Sequence, residues 1–364
     1  MRSDRKRNGR ILTALLAAML CIAFAPGIGP GVGAAADAPA GLPTVVVVTT
    51  GGTIAEKTDP KTGGAVPAVS GADLLAAVPG LAAVAKIEVV AYSNIDSSQM
   101  SPERWAGLSR AVGQALARPE VAGVVVTHGT DTMAEGSYFL DLTLPGDKPV
   151  VFTGAMNDAS SPFPDGPGNL FNAVTQVCAP QAKNWGVTVT LNGYVNAART
   201  VRKTQTTNVQ TFESGEEGYL GYITGGKVTR FNDADDRRTL PLPETLPKVA
   251  FVSTFAGDDG SLVRHAVDDG ATGLVVEGVG AGNVNEAVYG AITYALSKGV
   301  VTVISTRVPN GAVEPVYGDA GGGLTLQNHG CILAGDLDGQ KARLLLMLGI
   351  GEFGPDAAKL KTLF

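Results

Sequence analysis

In the stretch Val45-Val46-Val47-Val48-Thr49-Thr50-Gly51-Gly52-Thr53-Ile54-Ala55, four consecutive β-branched residues run straight into a glycine pair. Such a run predicts a strand buried on both faces, as in a parallel sheet. The glycines let main chain approach a ligand with no Cβ in the way. In an open α/β sheet, ligands bind just beyond the carboxyl ends of the strands. The Thr53 hydroxyl therefore stands where chemistry is done, although a lone Thr-Gly-Gly-Thr serves equally well as a loop that caps a helix.

Further along, the same pattern returns. Val124-Val125-Val126 leads into Thr127-His128-Gly129-Thr130-Asp131-Thr132-Met133, and an apolar run over 87–91 ends near Tyr92-Ser93-Asn94-Ile95-Asp96-Ser97-Ser98-Gln99. Three strand ends each deliver small polar groups, which a purely structural sheet has no need to do three times. Strand-like runs at 44–49, 87–91, 121–127, 149–153 and 186–191 alternate with helix-like stretches at 71–78, 102–117, 132–143 and 168–178. Ser101-Pro102-Glu103 has the N-cap, the proline at the first position and the first-turn acid of a helix start. The alternation predicts an α/β fold with a larger N-terminal, mostly parallel sheet flanked by helices, over 37–230. The charged run Phe231-Asn232-Asp233-Ala234-Asp235-Asp236-Arg237-Arg238, followed by Pro241, Pro243 and Pro247, reads as a linker over 231–247. A second rhythm follows: strand 249–253, helix 261–269, strand 272–277, helix 284–297, strand 300–305. It predicts a smaller, three-layered C-terminal α/β domain over 248–364.

The first 36 residues have a different character. Five bases and one acid precede an apolar run from Ile11 to about Ala25, and small residues lead to Ala34-Ala35-Ala36 before Asp37. That is the layout of a secretory signal peptide, and the run is shorter than the ~20 residues that span a bilayer. The expected location is the periplasm or the exterior, with no membrane attachment once the signal is removed. Its loss takes four net positive charges from a chain of net charge −6, leaving −10. No basic cluster remains to neutralise phosphates, so nucleic acid is not an expected partner. Cys178 and Cys331 read as two separate buried thiols. The three histidines, His128, His265 and His329, lack metal-ligand spacing, and no metal or cofactor is expected.

Two glycine motifs resemble nucleotide sites. Gly221-Tyr222-Ile223-Thr224-Gly225-Gly226-Lys227 has P-loop spacing, but Val228 stands where a hydroxyl should hold magnesium, and no amphipathic helix follows. Gly278-Val279-Gly280-Ala281-Gly282-Asn283 lacks the third glycine of a dinucleotide turn and reads as a tight turn presenting Asn283.

Taken together, Thr50-Gly51-Gly52-Thr53-Ile54-Ala55 and His128-Gly129-Thr130-Asp131-Thr132-Met133 resemble the two signatures of the bacterial-type L-asparaginases and glutaminase-asparaginases. Supporting matches are Asp165-Gly166-Pro167-Gly168-Asn169-Leu170, Arg202-Lys203-Thr204-Gln205-Thr206-Thr207, the turn at Asn283 and Arg307-Val308-Pro309-Asn310-Gly311. The likeness spans essentially the whole chain after residue 36. It implies an exported enzyme that hydrolyses asparagine, and in some members glutamine, through a threonine acyl-enzyme. Thr53 takes the nucleophile's position, Thr130, Asp131 and Lys203 the family's threonine–aspartate–lysine set, and Asp131 also the substrate's α-amino group. Ser97, with Ser98 adjacent, takes the α-carboxylate. Asn283 matches a residue lent by a neighbouring subunit, in what is usually a homotetramer.

The residue types suit the chemistry without the resemblance. A threonine hydroxyl needs a base or a polarising chain to attack an amide. A lysine beside a carboxylate and a second hydroxyl can move protons, and N–H groups near Gly52 or Gly129 can hold an oxyanion. Each residue also has a plainer role: Thr130 or Thr132 as helix caps, Asp131 at a helix dipole, His128 as a packed residue, Lys203 as a solvated charge. One departure from the family is plain. Its tyrosine in the loop after the first signature is missing, and a gap-free count puts Gly64 there. Tyr92, Tyr317 or the Lys203 set alone are the substitutes the sequence offers; Glu314 lies near the family's lent glutamate but out of register. A periplasmic binding protein, or a family member that binds without turnover, is the competing reading.

Overall fold

The valine run forms β1 (Thr44–Thr49), and all six of its residues are buried. A computed structural model describes residues 41–234 and 237–364. The expected signal segment, and Asp235 and Asp236, lie outside the described residues. A single 3₁₀ turn, Thr53–Ala55, leads from β1 into a short hairpin, β2 (Glu56–Thr58) and β3 (Ala65–Pro67), then α1 (Gly71–Ala76) and β4 (Lys86–Ala91). The chain continues through α2 (Pro102–Leu116), β5 (Val121–Thr127), α3 (Met133–Thr143), β6 (Val150–Thr153), α4 (Gly166–Cys178) and β7 (Val187–Leu191). Next come β8 (Tyr194–Ala197), β9 (Arg202–Lys203), β10 (Phe212–Glu213), β11 (Gly221–Thr224) and β12 (Lys227–Arg230).

The large sheet has the order β12-β11-β8-β7-β6-β5-β1-β4. From β4 to β7 neighbouring strands are parallel, and β8, β11 and β12 extend the edge antiparallel. Successive strand residues point to opposite faces, which explains the unbroken valines. Val45 and Val47 enter a core with Leu74, Leu170 and Val174 from α1 and α4. Val46 and Val48 enter another, with Trp105, Leu108 and Leu140 from α2 and α3. Ser101 accepts the Arg104 N–H at 3.4 Å, which makes it the N-cap of α2 as its sequence predicts.

The smaller sheet runs β13 (Val249–Ser253), β14 (Gly273–Gly278), β15 (Val301–Thr306), β16 (Ile332–Leu333), all parallel. It carries α5 (Ser261–Asp268), α6 (Glu286–Ser297), α7 (Gly323–Asn328), α8 (Gly339–Phe353) and α9 (Ala357–Lys361). Val252, Leu274 and Ile304 face the α5–α6 side. Val275 and Val303 face the other way, into the core that also holds Val46 and Leu140, with Leu344, Leu345 and Leu348 of α8 among them. The segment read as a linker is held against α3. Arg237 donates to Asp141 at 2.7 Å, and the buried Leu240 donates its N–H to the Leu142 carbonyl at 2.7 Å.

The P-loop-like stretch is the β11–β12 hairpin. Gly225 and Gly226 have φ of 57° and 73°, as a two-residue turn between antiparallel strands demands, and Thr224 pairs with Lys227 across it.

Candidate active site

Three strand ends meet where the glycine–hydroxyl pattern places them. The Thr50 N–H and hydroxyl both donate to the Thr127 carbonyl (3.0 and 2.9 Å). The Ile95 N–H donates to Thr50 (3.0 Å), and the Gly52 N–H to the Ile95 carbonyl (3.1 Å). Gly51 and Gly52 have φ of 107° and 80°. A Cβ on Gly52 would lie 2.2 Å from the Gly129 Cα, and one on Gly129 would lie 2.6 Å from the Ser97 Oγ. The two signature loops therefore touch main chain to main chain, and no side chain fits between them. Half-buried Thr53 starts the 3₁₀ turn just beyond this contact.

Around it the structure brings together most of the residues singled out from sequence. The Lys203 Nζ lies 3.0 Å from the Thr130 Oγ1 and 2.7 Å from the Asp131 Oδ1. Thr130 is buried, whereas the Asp131 side chain is 58% exposed. Ser97 is buried, and its Oγ accepts the Asp131 N–H at 3.2 Å. Thr132 does not cap α3 through its side chain; its hydroxyl donates to the Ser97 carbonyl at 2.8 Å, tying the second loop to the third. Ser98 is exposed and donates its N–H to Asp96 at 2.7 Å. Asn283 stands apart: its N–H donates to Val279 at 2.8 Å and its Oδ1 accepts from Gly323 at 3.3 Å. Among the described residues it has no hydrogen bond to the Thr53–Lys203 group.

His128 is fully buried, and burial drives its pKa down to about 4. The Trp105 indole N–H, which can only donate, meets its Nε2 at 3.4 Å. That assigns the remaining proton to Nδ1, 2.7 Å from the Gly129 carbonyl. A neutral imidazole spent on these two contacts supports the loop and is no base.

Two of the tyrosine substitutes are placed elsewhere. The Tyr92 hydroxyl donates to the Arg104 carbonyl at 2.7 Å, and Tyr317 is exposed in the smaller-sheet region. Gly64, where the gap-free count falls, sits at the exposed tip of the β2–β3 hairpin, its carbonyl accepting from Asp59 at 2.8 Å.

The structure adds residues the sequence reading passes over. Glu56, directly after the first signature, is only 6% exposed. Its pKa is raised, first by burial and then by the negative charges of Asp96, Asp158 and Asp131. Lys341 of α8, 1% exposed, donates to the carbonyls of Arg199 (2.8 Å) and Val201 (2.5 Å). It thus pins the segment that ends in Lys203. Arg202 adds an ion pair to Asp338 at 3.6 Å and a hydrogen bond to the Pro309 carbonyl. Lys203 also borders a cleft of about 470 Å³ with Arg199, Arg202, Glu213 and Asn310, which Thr53, Thr130 and Asp131 do not line. Cys178 and Cys331 are free thiols.

Comparison with known proteins shows the family. Residues 44–236 match the family model "Asparaginase, N-terminal", and residues 248–364 match "Glutaminase/Asparaginase C-terminal domain". The chain is 38% identical to the L-asparaginase 2 of Escherichia coli K12, over 85% of this chain and 89% of that one. It is 36% identical to the L-asparaginase 2 of Bacillus subtilis, over 89% and 86%. A crystal structure of a probable cytoplasmic L-asparaginase from Campylobacter jejuni superposes with a TM-score of 0.80 at 36% identity, covering 88% of this chain and 98% of that one. Fold and site define an α/β amidohydrolase. The chain belongs to the asparaginase family, as the two signatures lead one to expect.

Proposed function

We propose that the protein hydrolyses the side-chain amide of L-asparagine to L-aspartate and ammonia through an acyl-enzyme on Thr53, and accepts L-glutamine as a second substrate. The observation that carries this reading is the Lys203 ammonium shared between Thr130 and Asp131 beside the Thr53 loop. The names of the relatives support asparagine as the substrate.

In this reading Lys203 occupies the Oδ1 of Asp131, and the exposed carboxylate offers its Oδ2 to the substrate's α-ammonium. Ser97 and Ser98 receive the α-carboxylate. The Thr53 Oγ attacks the side-chain carbonyl carbon. The Gly52 N–H is already spent on Ile95, so the oxyanion falls to the Gly129 N–H, which has no acceptor among the described residues. Ammonia leaves, and water opens the ester, with Lys203 and Thr130 moving protons. Asn283, engaged away from its own chain's site, acts in a neighbouring copy's site within a homotetramer. Residues 37–230 hold the nucleophile loops, 231–247 join them to 248–364, and residues 1–36 direct the chain to the periplasm or beyond. A Haemophilus influenzae relative, 37% identical, is named a probable periplasmic L-asparaginase.

Ammonia release by the protein from Asp37 onward, with millimolar asparagine or glutamine, tests the proposal. Thr53→Ala and Lys203→Met are each expected to lower the rate by at least ~10²-fold, since each removes a group needed in the transition state. Absence of release from either amide would sink the enzymatic reading.

A further inference from the structure

We infer that Asp338 and Lys341, at the start of α8 in the smaller-sheet region, are positioning residues that hold Lys203 in place for proton transfer. The inference rests on the reading of Lys203 as a residue that moves protons.

A lysine ammonium rides on a flexible four-carbon stem, so it is only as well placed as the backbone beneath it. Lys203 leaves a strand of two residues, β9, whose one partner in its sheet is the equally short β10. So small a pairing is marginal by itself. The hold comes from α8, across 140 residues of chain. The buried Lys341 ammonium bridges the Arg199 and Val201 carbonyls, and Val201 is itself fully buried two residues before Lys203. The same ammonium lies 3.6 Å from the Asp338 Oδ2 and 5.9 Å from the centre of the Tyr138 ring. Asp338 works in two directions. Its Oδ1 accepts the Lys341 N–H at 2.8 Å, capping α8, and its Oδ2 stands 3.6 Å from the Nε of Arg202, the residue before Lys203. Arg202 also donates to the Pro309 carbonyl, and Arg199 forms a two-point pair with Asp336 at 2.9 and 2.6 Å. Residues 199, 201 and 202 are thus all bound by the smaller-sheet region.

A plainer role for Lys341 is to satisfy two carbonyls. A neutral donor would do that at smaller cost, since a buried ammonium is unfavourable unless paired and hydrogen-bonded. What the buried charge adds is a fixed arrangement: moving either carbonyl or the Asp338 carboxylate leaves it under-compensated. The Lys203 Nζ reaches the Thr130 Oγ1 at 3.0 Å and the Asp131 Oδ1 at 2.7 Å. A shift of roughly 1 Å in the frame would take it out of hydrogen-bond range of both, and misplacement of that size can cost ~10²-fold in rate.

The test is ammonia release from asparagine by Asp338→Asn and Lys341→Met, each made in the wild type and in the Lys203→Met variant and each checked by thermal melting. Asp338→Asn keeps an acceptor for the helix cap and removes the charge. Either substitution is expected to lower the wild-type kcat about tenfold. The two together should lose little more than the larger single loss, because they act through one frame. In the Lys203→Met background both should leave the residual rate unchanged, since no lysine remains to be positioned. A general structural role would instead lower both backgrounds by the same factor, and that result overturns the inference. So does wild-type kcat in both single variants. Should neither single variant fold, Arg202→Gln cuts the Asp338 pair from its half-buried end, and unchanged kcat there overturns the inference. Full activity in Lys203→Met overturns the reading of Lys203 itself, which is a distinct outcome.

Discussion

His128 shows how a residue inside a signature can serve the fold. Its pKa lies near 4 in the folded chain against about 6.5 for a free imidazole. The unfolded chain therefore binds a proton that the folded chain refuses as pH falls from 6.5 to 4, and stability is lost across that window. At pH 4.5 the loss is on the order of 2 kcal/mol relative to pH 7. Urea midpoints at the two pH values should fall more for wild type than for His128→Asn, which starts lower but varies less. At this scale Thr53, Thr130 and Asp131 were legible because hydroxyls beside glycines at strand ends have few structural reasons to recur. Lys203 was legible only through its motif, since it reaches Asp131 across 72 residues of chain. Glu56 was not legible: a glutamate opening a charged loop, Glu56-Lys57-Thr58-Asp59, reads as solvated, yet in the fold it is buried.

Elements were legible where their periodicity was one-sided. The five parallel strands of the large sheet and the helices between them fall within a few residues of their expected bounds, because buried β-branched runs and capped amphipathic stretches announce themselves. Short antiparallel strands at the sheet edge and the β9–β10 pair are too brief to carry a pattern. Helix α8 escapes for the opposite reason: from Leu344 to Ile350 it is buried on every side, so it shows no polar face. Its Lys341 links that helix to the segment that ends in Lys203. Burial lowers its pKa to about 8, against the pull of Asp338. Between pH 8 and the normal lysine range only the unfolded chain holds the proton, so stability rises with pH there. Lys341→Met should abolish that rise. By leaving the Arg199 and Val201 carbonyls without their donor it should also loosen β9 and lower kcat about tenfold, read by melting curves and ammonia release.

On the scale of the whole molecule, the sequence predicts two α/β regions and the structure has two sheets, yet their packing is joint. Val46 and Leu140 share a core with Val275, Val303 and the leucines of α8, a relation that local periodicity cannot carry because it lies between elements far apart in the chain. A core common to both sheets implies one cooperative unfolding transition. Fluorescence of Trp105 and Trp185, both buried in the larger-sheet region, should give the same midpoint as far-UV circular dichroism, which reports on both. Two separated transitions would show that the smaller sheet folds independently.

The contact of Gly52 with Gly129 has a further consequence for how such a protein can diversify. Where loops meet as bare main chain, any inherited change of residue brings in a Cβ with no room to stand. The floor beneath the threonine is thereby closed to drift, and novelty is confined to the rim, where the hairpin that begins at Glu56 leaves its tip exposed.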